Sequence, residues 1–135
     1  MVDVRELKIG NYVYLQNSKT PYKITEIGYS EIEYPRYEAS GISSGAVFRT
    51  YVENLNPIPL TEGLLLKCGF TESHSDSKGY IYSINGVGIL RHFFDTPSFF
   101  IETKEEDLFN NPIDNLHQLQ NLYFDLIGQE LDVNL

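Results

Sequence analysis

The feature that most constrains the fold is a series of short β-prone runs in the first 56 residues, separated by polar or glycine-containing turns. Alternating apolar and polar residues over so few positions are typical of strands with one buried face. Gly28-Tyr29-Ser30 predicts a tight turn, and Ala39–Gly45 predicts a loop of small residues. The predicted strands are Tyr12–Leu15, Tyr22–Ile27, Glu31–Tyr34 (ended or edged by Pro35) and Ala46–Val52. They favour a small, strongly bent antiparallel sheet or a five-stranded barrel of the Src-homology-3 kind.

A proline-containing linker and a short helix are predicted next. Asn54–Pro59 contains two X-Pro pairs, which disfavour helix before each proline. Thr61 is suited to cap a helix that carries Leu64, Leu65, Leu66 and Cys68. Gly69 stands where a left-handed residue ends such a helix, and Phe70 then folds back on it in a Schellman-type stop.

The following segment predicts a hairpin and one more strand. Thr71–Lys78 is polar and predicts a loop. Asn85-Gly86 joins two β-prone runs, Tyr80–Ile84 and Val87–His92, and both turn residues tolerate a positive φ. Pro97–Thr103, rich in Phe, predicts a further strand.

The last predicted element is an amphipathic helix from Asp114 to Ile127, stopped by Gly128. Its apolar stripe is predicted to be core and comprises Leu116, Leu119, Leu122, Tyr123, Leu126 and Ile127. The fold class is therefore α+β: a bent sheet or barrel, then a helix, a β-hairpin plus strand, and a C-terminal helix. We predict a β lobe over residues 1–56 and an α+β lobe over residues 57–135, or alternatively one compact domain.

Composition and charge exclude several classes of protein. The 135 residues include one cysteine, Cys68, which fits a reducing compartment and predicts a cytoplasmic protein. No apolar run approaches the roughly 20 residues that a membrane-spanning helix needs, so no membrane partner is expected. The net charge of −9 opposes binding to nucleic acid. From residue 105 onward there are seven acidic residues and no Lys or Arg, so the acidity is mostly C-terminal.

Three stretches together carry a resemblance to a known family. They are Glu6–Asn11 (ELKIGN), Pro57–Glu62 with Lys67–Phe70 (PIPLTE and KCGF), and His117–Phe124 with Gly128 and Glu130-Leu131 (HQLQNLYF, G and EL). The chain thereby resembles a family of small uncharacterised proteins of gut Bacteroides-type bacteria, associated with phage-like or mobile regions. The resemblance implies a bacterial or phage-related protein and supplies no catalytic residues.

The familiar reactive constellations are absent from the sequence, and no cofactor, metal site or catalytic residue is predicted. His74-Ser75-Asp76 lacks the ligand spacing of a zinc site. Cys68 ends an apolar helix and is interpreted as a buried small hydrophobe. The consecutive acidic residues Glu105–Asp107 point in different directions in a turn. Ser40–Gly45 lacks the Gly-Lys pair of a phosphate loop.

Two surfaces remain as candidates for binding a protein partner or for self-association. The first is aromatic: seven of the ten tyrosines fall within the first 51 residues, and Tyr12 and Tyr14 share one strand face. The second is a flank of the C-terminal helix that a single domain would leave uncovered. It comprises His117, Gln120, Asn121 and Phe124.

Three functional hypotheses follow. The favoured one is a non-enzymatic protein-interaction module, because aromatic residues are in excess and no catalytic set is present. An acidic decoy or inhibitor of a nucleic-acid-binding protein is the first alternative, prompted by the C-terminal charge and the phage-like resemblance. The second is a small enzyme with a histidine-centred site at His92 or His117.

Overall fold

The structure is a computed structural model, and it describes residues 6–16, 18–29, 35–41, 46–75, 79–85, 87–93, 98–101 and 112–135. Within these ranges the chain forms nine strands and two α-helices, which confirms the predicted α+β class. The chain divides into two compact units. The first contains Met1–Pro59 and Asn115–Glu130, and the second contains Leu60–Asp114 and Leu131–Leu135.

The first unit is built on a curled, five-stranded antiparallel sheet that forms a half-barrel. Its strands are β1 (Tyr12–Leu15), β2 (Pro21–Tyr29), β3 (Pro35–Gly41), β4 (Val47–Tyr51) and β5 (Leu55–Asn56). They lie side by side in the order β4-β3-β2-β1-β5. The predicted bent sheet is therefore confirmed, and the strands predicted at β1, β2 and β4 are found.

Three local predictions in this sheet are wrong, and one lies outside the described residues. Ala39–Gly41 belongs to β3 rather than to a loop, because Ala39 pairs with Ile24 on one side and Phe48 on the other. The turn predicted at Gly28 is absent, since β2 continues to Tyr29. The predicted linker contains β5, which pairs with β1. The strand predicted over residues 31–34 lies outside the described residues.

The inner face of the curled sheet forms an apolar core. Its fully enclosed members are Val13, Ile24, Tyr37, Ala39 and Leu55, with Leu7 and Val52 buried beside them. A register shift between Ile24 and Glu26 marks a β-bulge in the β2–β3 pair. Bulges increase local twist and bend a strand, which is the distortion that a half-barrel needs.

The first unit also contains the C-terminal helix, α2 (Leu116–Ile127), capped by Asn115 and followed by Gly128. The predicted helix and its stop are confirmed. Leu116, Leu119 and Tyr123 of the predicted apolar stripe are buried. Leu126 and Ile127 are 55% and 41% exposed, so the prediction that they belong to the core is wrong. All four residues of the last turn, 124–127, are exposed, because nothing in the described structure covers this turn.

The predicted division of the chain differs from the observed one. The sequence predicts that α2 belongs with residues 57–135, whereas it groups with the five-stranded sheet. The physical reason is a set of hydrogen bonds that link α2 to residues 6–12, described below. The first unit therefore combines two segments that are far apart in the sequence, one near each end of the chain.

The second unit begins with helix α1 (Glu62–Lys67), and its predicted ends are confirmed. Thr61 Oγ1 accepts a hydrogen bond from the backbone N–H of Leu64 at 3.2 Å. At the other end, Gly69 has φ +90, a conformation that favours glycine. The Phe70 N–H then donates to the Leu65 carbonyl at 3.1 Å, as in a Schellman stop.

The second unit also holds a four-stranded antiparallel meander. Its strands are β6 (Thr71–Ser75), β7 (Gly79–Ile84), β8 (Val87–Phe93) and β9 (Phe99–Ile101), in that order. The predicted hairpin is confirmed, and Asn85 has φ +52 in its turn. The loop predicted from Thr71 is wrong, because Thr71–Ser75 pairs with β7. Neither helix in the described part of the chain has the length and apolar composition to span a bilayer.

Candidate functional site

The structure places the four residues of the predicted α2 flank in different environments. His117 and Gln120 are only 1% and 2% exposed, so the expectation that this flank lies uncovered is wrong for them. Asn121 is half-buried, and Phe124 remains 44% exposed. Whether any of the four binds a partner stays a prediction, but only Phe124 offers a largely open side chain.

Gln120 and Asn121 are occupied by the segment that precedes β1. Gln120 Oε1 accepts a hydrogen bond from the Tyr12 N–H, and its Nε2 donates to the Gly10 carbonyl, both at 2.9 Å. Asn121 Nδ2 donates to the Glu6 carbonyl at 2.6 Å. Asn121 Oδ1 in turn accepts from Asn11 Nδ2 at 2.9 Å. Two amide side chains thus satisfy three partly buried backbone groups, the Tyr12 N–H and the carbonyls of Gly10 and Glu6.

His117 completes this arrangement through a carboxylate. Its Nε2 lies 3.0 Å from Glu6 Oε2, whereas its Nδ1 is buried and has no partner among the described residues. We call this set the polar network: Glu6, Asn11, His117, Gln120 and Asn121 with the backbone of residues 6–12. The polar network links α2 to the segment before β1, and the His117 ring within it is 1% exposed.

Gly10 allows the polar network to form. Its φ of +95 lies in the left-handed region, which residues with a Cβ adopt only under strain. The turn at Gly10 directs its carbonyl to Gln120, and the Gly10 N–H donates to the Ile24 carbonyl at 2.7 Å. The stretches Glu6–Asn11 and His117–Asn121 therefore meet in space.

The other side chains considered for catalysis are buried, are packed against a neighbouring ring, or lie outside the described residues. Burial, with the Asp132 carboxylate nearby, raises the pKa of Cys68 to about 11, which keeps the thiol protonated. The ring of His92 packs on Phe99 at a centroid distance of 4.7 Å. The side chain of His74 and all of Asp76 and Glu105–Asp107 lie outside the described residues. No cluster of three metal-ligating side chains occurs within the described ranges.

The two tyrosines singled out from the sequence lie on β1. Val13 between them is fully buried, so Tyr12 and Tyr14 face away from the core and are half-buried. The Tyr12 ring lies beneath Lys23 Nζ, which is 5.9 Å from the ring centroid. Such a cation–π contact makes a modest contribution to the stability of the sheet. Partner binding at these tyrosines stays a prediction.

A site that the sequence analysis did not identify lies on β4. Val47 and Phe48 are 56% and 46% exposed, and the Arg49 side chain is 66% exposed. Phe48 stands opposite buried Ala39, so it belongs to the inner face of the sheet yet remains open. Its ring makes an edge-to-face contact with Tyr22 at 5.6 Å. The sequence signal for this site is a β-prone run without Lys or Pro. Only the strand order shows that this run is an edge strand.

A small open groove adjoins this strand. Glu26, Gly28, Tyr37, Glu38 and Arg49 line it. Arg49 and Glu38 approach to 3.2 Å across β4 and β3, so the two charges largely satisfy each other. No histidine lies in this groove, and the hypothesis of a histidine-centred enzyme gains no support from it.

Comparison of the chain with models of known protein families, with curated proteins and with solved structures found no match in any of the three.

Proposed function

We propose that this protein is a non-enzymatic protein-interaction module of bacterial or phage origin that acts in the cytoplasm. The observation that carries the proposal is the exposure of large apolar side chains at two places in the first unit. Val47 and Phe48 on β4, and Phe124, Leu126 and Ile127 on the last turn of α2, are between 41% and 56% exposed. Grouped apolar side chains on a surface are characteristic of binding sites, whereas scattered ones are normal.

The state of the reactive side chains also favours binding over catalysis. Burial raises the pKa of the Cys68 thiol, which disfavours a nucleophilic thiolate. The His117 ring is enclosed by the polar network, and the His92 ring rests on Phe99. An interaction module needs none of these groups to be reactive.

The test is retention of a partner, and it uses matched variants. Tagged wild-type protein is compared with Phe48→Lys and Phe124→Lys by chemical cross-linking, both alone and in a lysate of the native host. Leu66→Lys is the control, because Leu66 is 53% exposed but lies on α1 in the second unit. We expect a cross-linked species that the control keeps and that at least one of the two variants reduces about tenfold.

The contrary result is equally clear. A wild-type chain that stays monomeric at about 500 µM and retains no partner would refute the interaction module. Circular dichroism of each variant guards against loss of folding as the cause of a negative result.

The acidic decoy remains the alternative proposal. Four of the seven acidic residues beyond residue 104 are described and all four are exposed: Asp114, Asp125, Glu130 and Asp132. Exposed carboxylates are what a basic DNA-binding surface would recognise. Fluorescence anisotropy of DNA bound to a cationic domain would decide the matter. A decoy displaces the DNA, with an effect that falls steeply as salt rises.

A further inference from the structure

The two sheets differ in how their edges are protected. Among the strands that the structure describes, β4 and β5 edge the first sheet, and β6 and β9 edge the second. β5 has two residues, and β9 has three with Phe99 bridged to Ile113. β6 is polar in sequence and its register with β7 shifts between Glu72 and His74. Short length, polarity and bulges all discourage pairing with another chain.

β4 is neither very short nor interrupted by a bulge, and Arg49 is its only charged residue. It spans five residues, Val47–Tyr51, and pairs with β3 in an uninterrupted register. No other strand that the structure describes pairs with β4 on the side away from β3, and the backbone N–H and C=O groups of an edge strand are satisfied best by another extended strand. The occupant that fits this edge is therefore another β-strand.

The inner face of the half-barrel specifies what that strand must carry. Ile24, Ala39 and Phe48 stand in one row across β2, β3 and β4. Ile24 and Ala39 are 0% exposed, whereas Phe48 at the end of the row is 46% exposed. The apolar inner surface thus continues to the open edge. An added strand would complete it if an apolar side chain lay beside Phe48.

We propose that the strand is β4 of a second copy of this chain, paired antiparallel about a two-fold axis at Phe48. The proposal rests on the proposed function and names the partner for one of its surfaces. In this register Phe48 of one copy lies opposite Phe48 of the other, and each Val47 lies opposite Arg49. The two half-barrel sheets then form one continuous sheet.

The register follows from face and charge. Phe48 and Thr50 oppose the buried residues Ala39 and Tyr37, so even-numbered residues of β4 face inward. A continuous inner face requires inward residues to pair with inward residues, because a one-residue slip reverses every side chain. An axis at Arg49 also meets this condition, but it sets two arginines directly opposite each other, which is unfavourable.

The charges on β4 itself are compatible with pairing to a second copy. Arg49 is the only charged residue of the strand, and its guanidinium lies 3.2 Å from the Glu38 carboxylate. In the proposed register each Arg49 lies opposite Val47 of the other copy, so no like charges face each other along β4. Closed two-fold dimers are also the commonest form of homo-oligomer.

Sedimentation equilibrium over about 5 to 500 µM tests the dimer. We expect the mass to rise with concentration from the chain mass of 15.5 kDa toward twice that value. Phe48→Lys should abolish the rise. Ile9→Lys is the matched control, because Ile9 is 59% exposed and lies in the same unit but outside β4, and it should behave as wild type.

A charge pair at Val47 tests the register without disturbing the fold, since Val47 is 56% exposed. Val47→Glu would face Arg49 of the other copy and should tighten the dimer about three- to tenfold, whereas Val47→Lys should weaken it similarly. In a Cys68→Ala background, Phe48→Cys should form an intermolecular disulfide under mild oxidation much faster than Arg49→Cys.

The proposal is overturned if the wild type is monomeric throughout, if a dimer survives Phe48→Lys in folded protein, or if Arg49→Cys cross-links faster than Phe48→Cys. These failures differ from failure of the proposed function. A monomer that still retains a foreign partner, lost on Phe124→Lys, refutes the β4 dimer and leaves the interaction module intact.

Discussion

The polar network and the β4 edge belong to one unit, and in both the burial of the side chains is the opposite of what their polarity suggests. Gln120 and His117 have the chemistry of a recognition surface, yet both are buried and engaged within the chain. Val47 and Phe48 have the chemistry of a core, yet both are exposed at the end of the sheet. Hydrogen-bond satisfaction and cover from neighbouring elements, rather than polarity alone, decide which of these side chains are buried and which are exposed.

If this contrast holds, variants of the polar network lower stability without altering association, and variants of β4 do the opposite. The largest effect is expected for Gln120→Ala. It removes the partners of the Tyr12 N–H and the Gly10 carbonyl in a buried site, at a cost of about 3 kcal/mol in the free energy of unfolding.

Urea unfolding measures this loss, and Gln129→Ala, at an exposed position beyond α2, is the control. Sedimentation at a concentration where the variant is folded should give the wild-type mass. A Gln120→Ala protein that keeps its stability but loses its self-association would break the contrast.

A smaller effect, on the free energy of unfolding at high pH, is expected from Cys68. This residue is buried like Gln120, and burial disfavours the thiolate form of its side chain. Its pKa is raised from 9.0 to about 11 by burial and by Asp132. The unfolded chain therefore releases this proton first. The stability that the protonated, buried thiol gives the folded chain is fully present below pH 9 and is lost as the pH rises through 11.

Stability measured from pH 8 to 11 should fall less steeply in Cys68→Ala than in wild type. Burial and the Glu62 carboxylate raise the pKa of Tyr82 to about 12, so Tyr82→Phe should flatten only the upper part of the curve, beginning near pH 10. Equal slopes in wild type and Cys68→Ala would show that the thiol is not buried as described.

The smallest effect is expected for Lys8→Met, at the margin of the polar network. Lys8 Nζ lies 3.9 Å from Asp125 Oδ1, and the two side chains are 54% and 67% exposed. Exposed pairs contribute about 0.5 kcal/mol or less, so unfolding should be nearly unchanged. A loss comparable to that of Gln120→Ala would mean that the network depends on charge rather than on buried amide hydrogen bonds.

Local signals predicted several elements correctly. The caps at Thr61 and Gly69, the stop at Gly128 and the turn at Asn85 act within a few residues, and all four are found. The predictions that failed depend on distant partners. Thr71–Ser75 is polar and predicts a loop, but β7 supplies the pairing that makes it a strand. The hydrogen bond from Gln120 to Gly10 spans 110 positions, which no sequence pattern encodes.

The sequence by itself determined the α+β class, both ends of α1, the presence and stop of α2 and the hairpin, because caps, turn residues and periodicity act over one or two turns of chain. Only the tertiary structure decided that Gln120 is buried while Phe48 is exposed. Burial depends on which elements meet, and strand order alone makes β4 an edge. The stretches Glu6–Asn11 and His117–Phe124 are far apart in the chain, and folding joins them in one polar network.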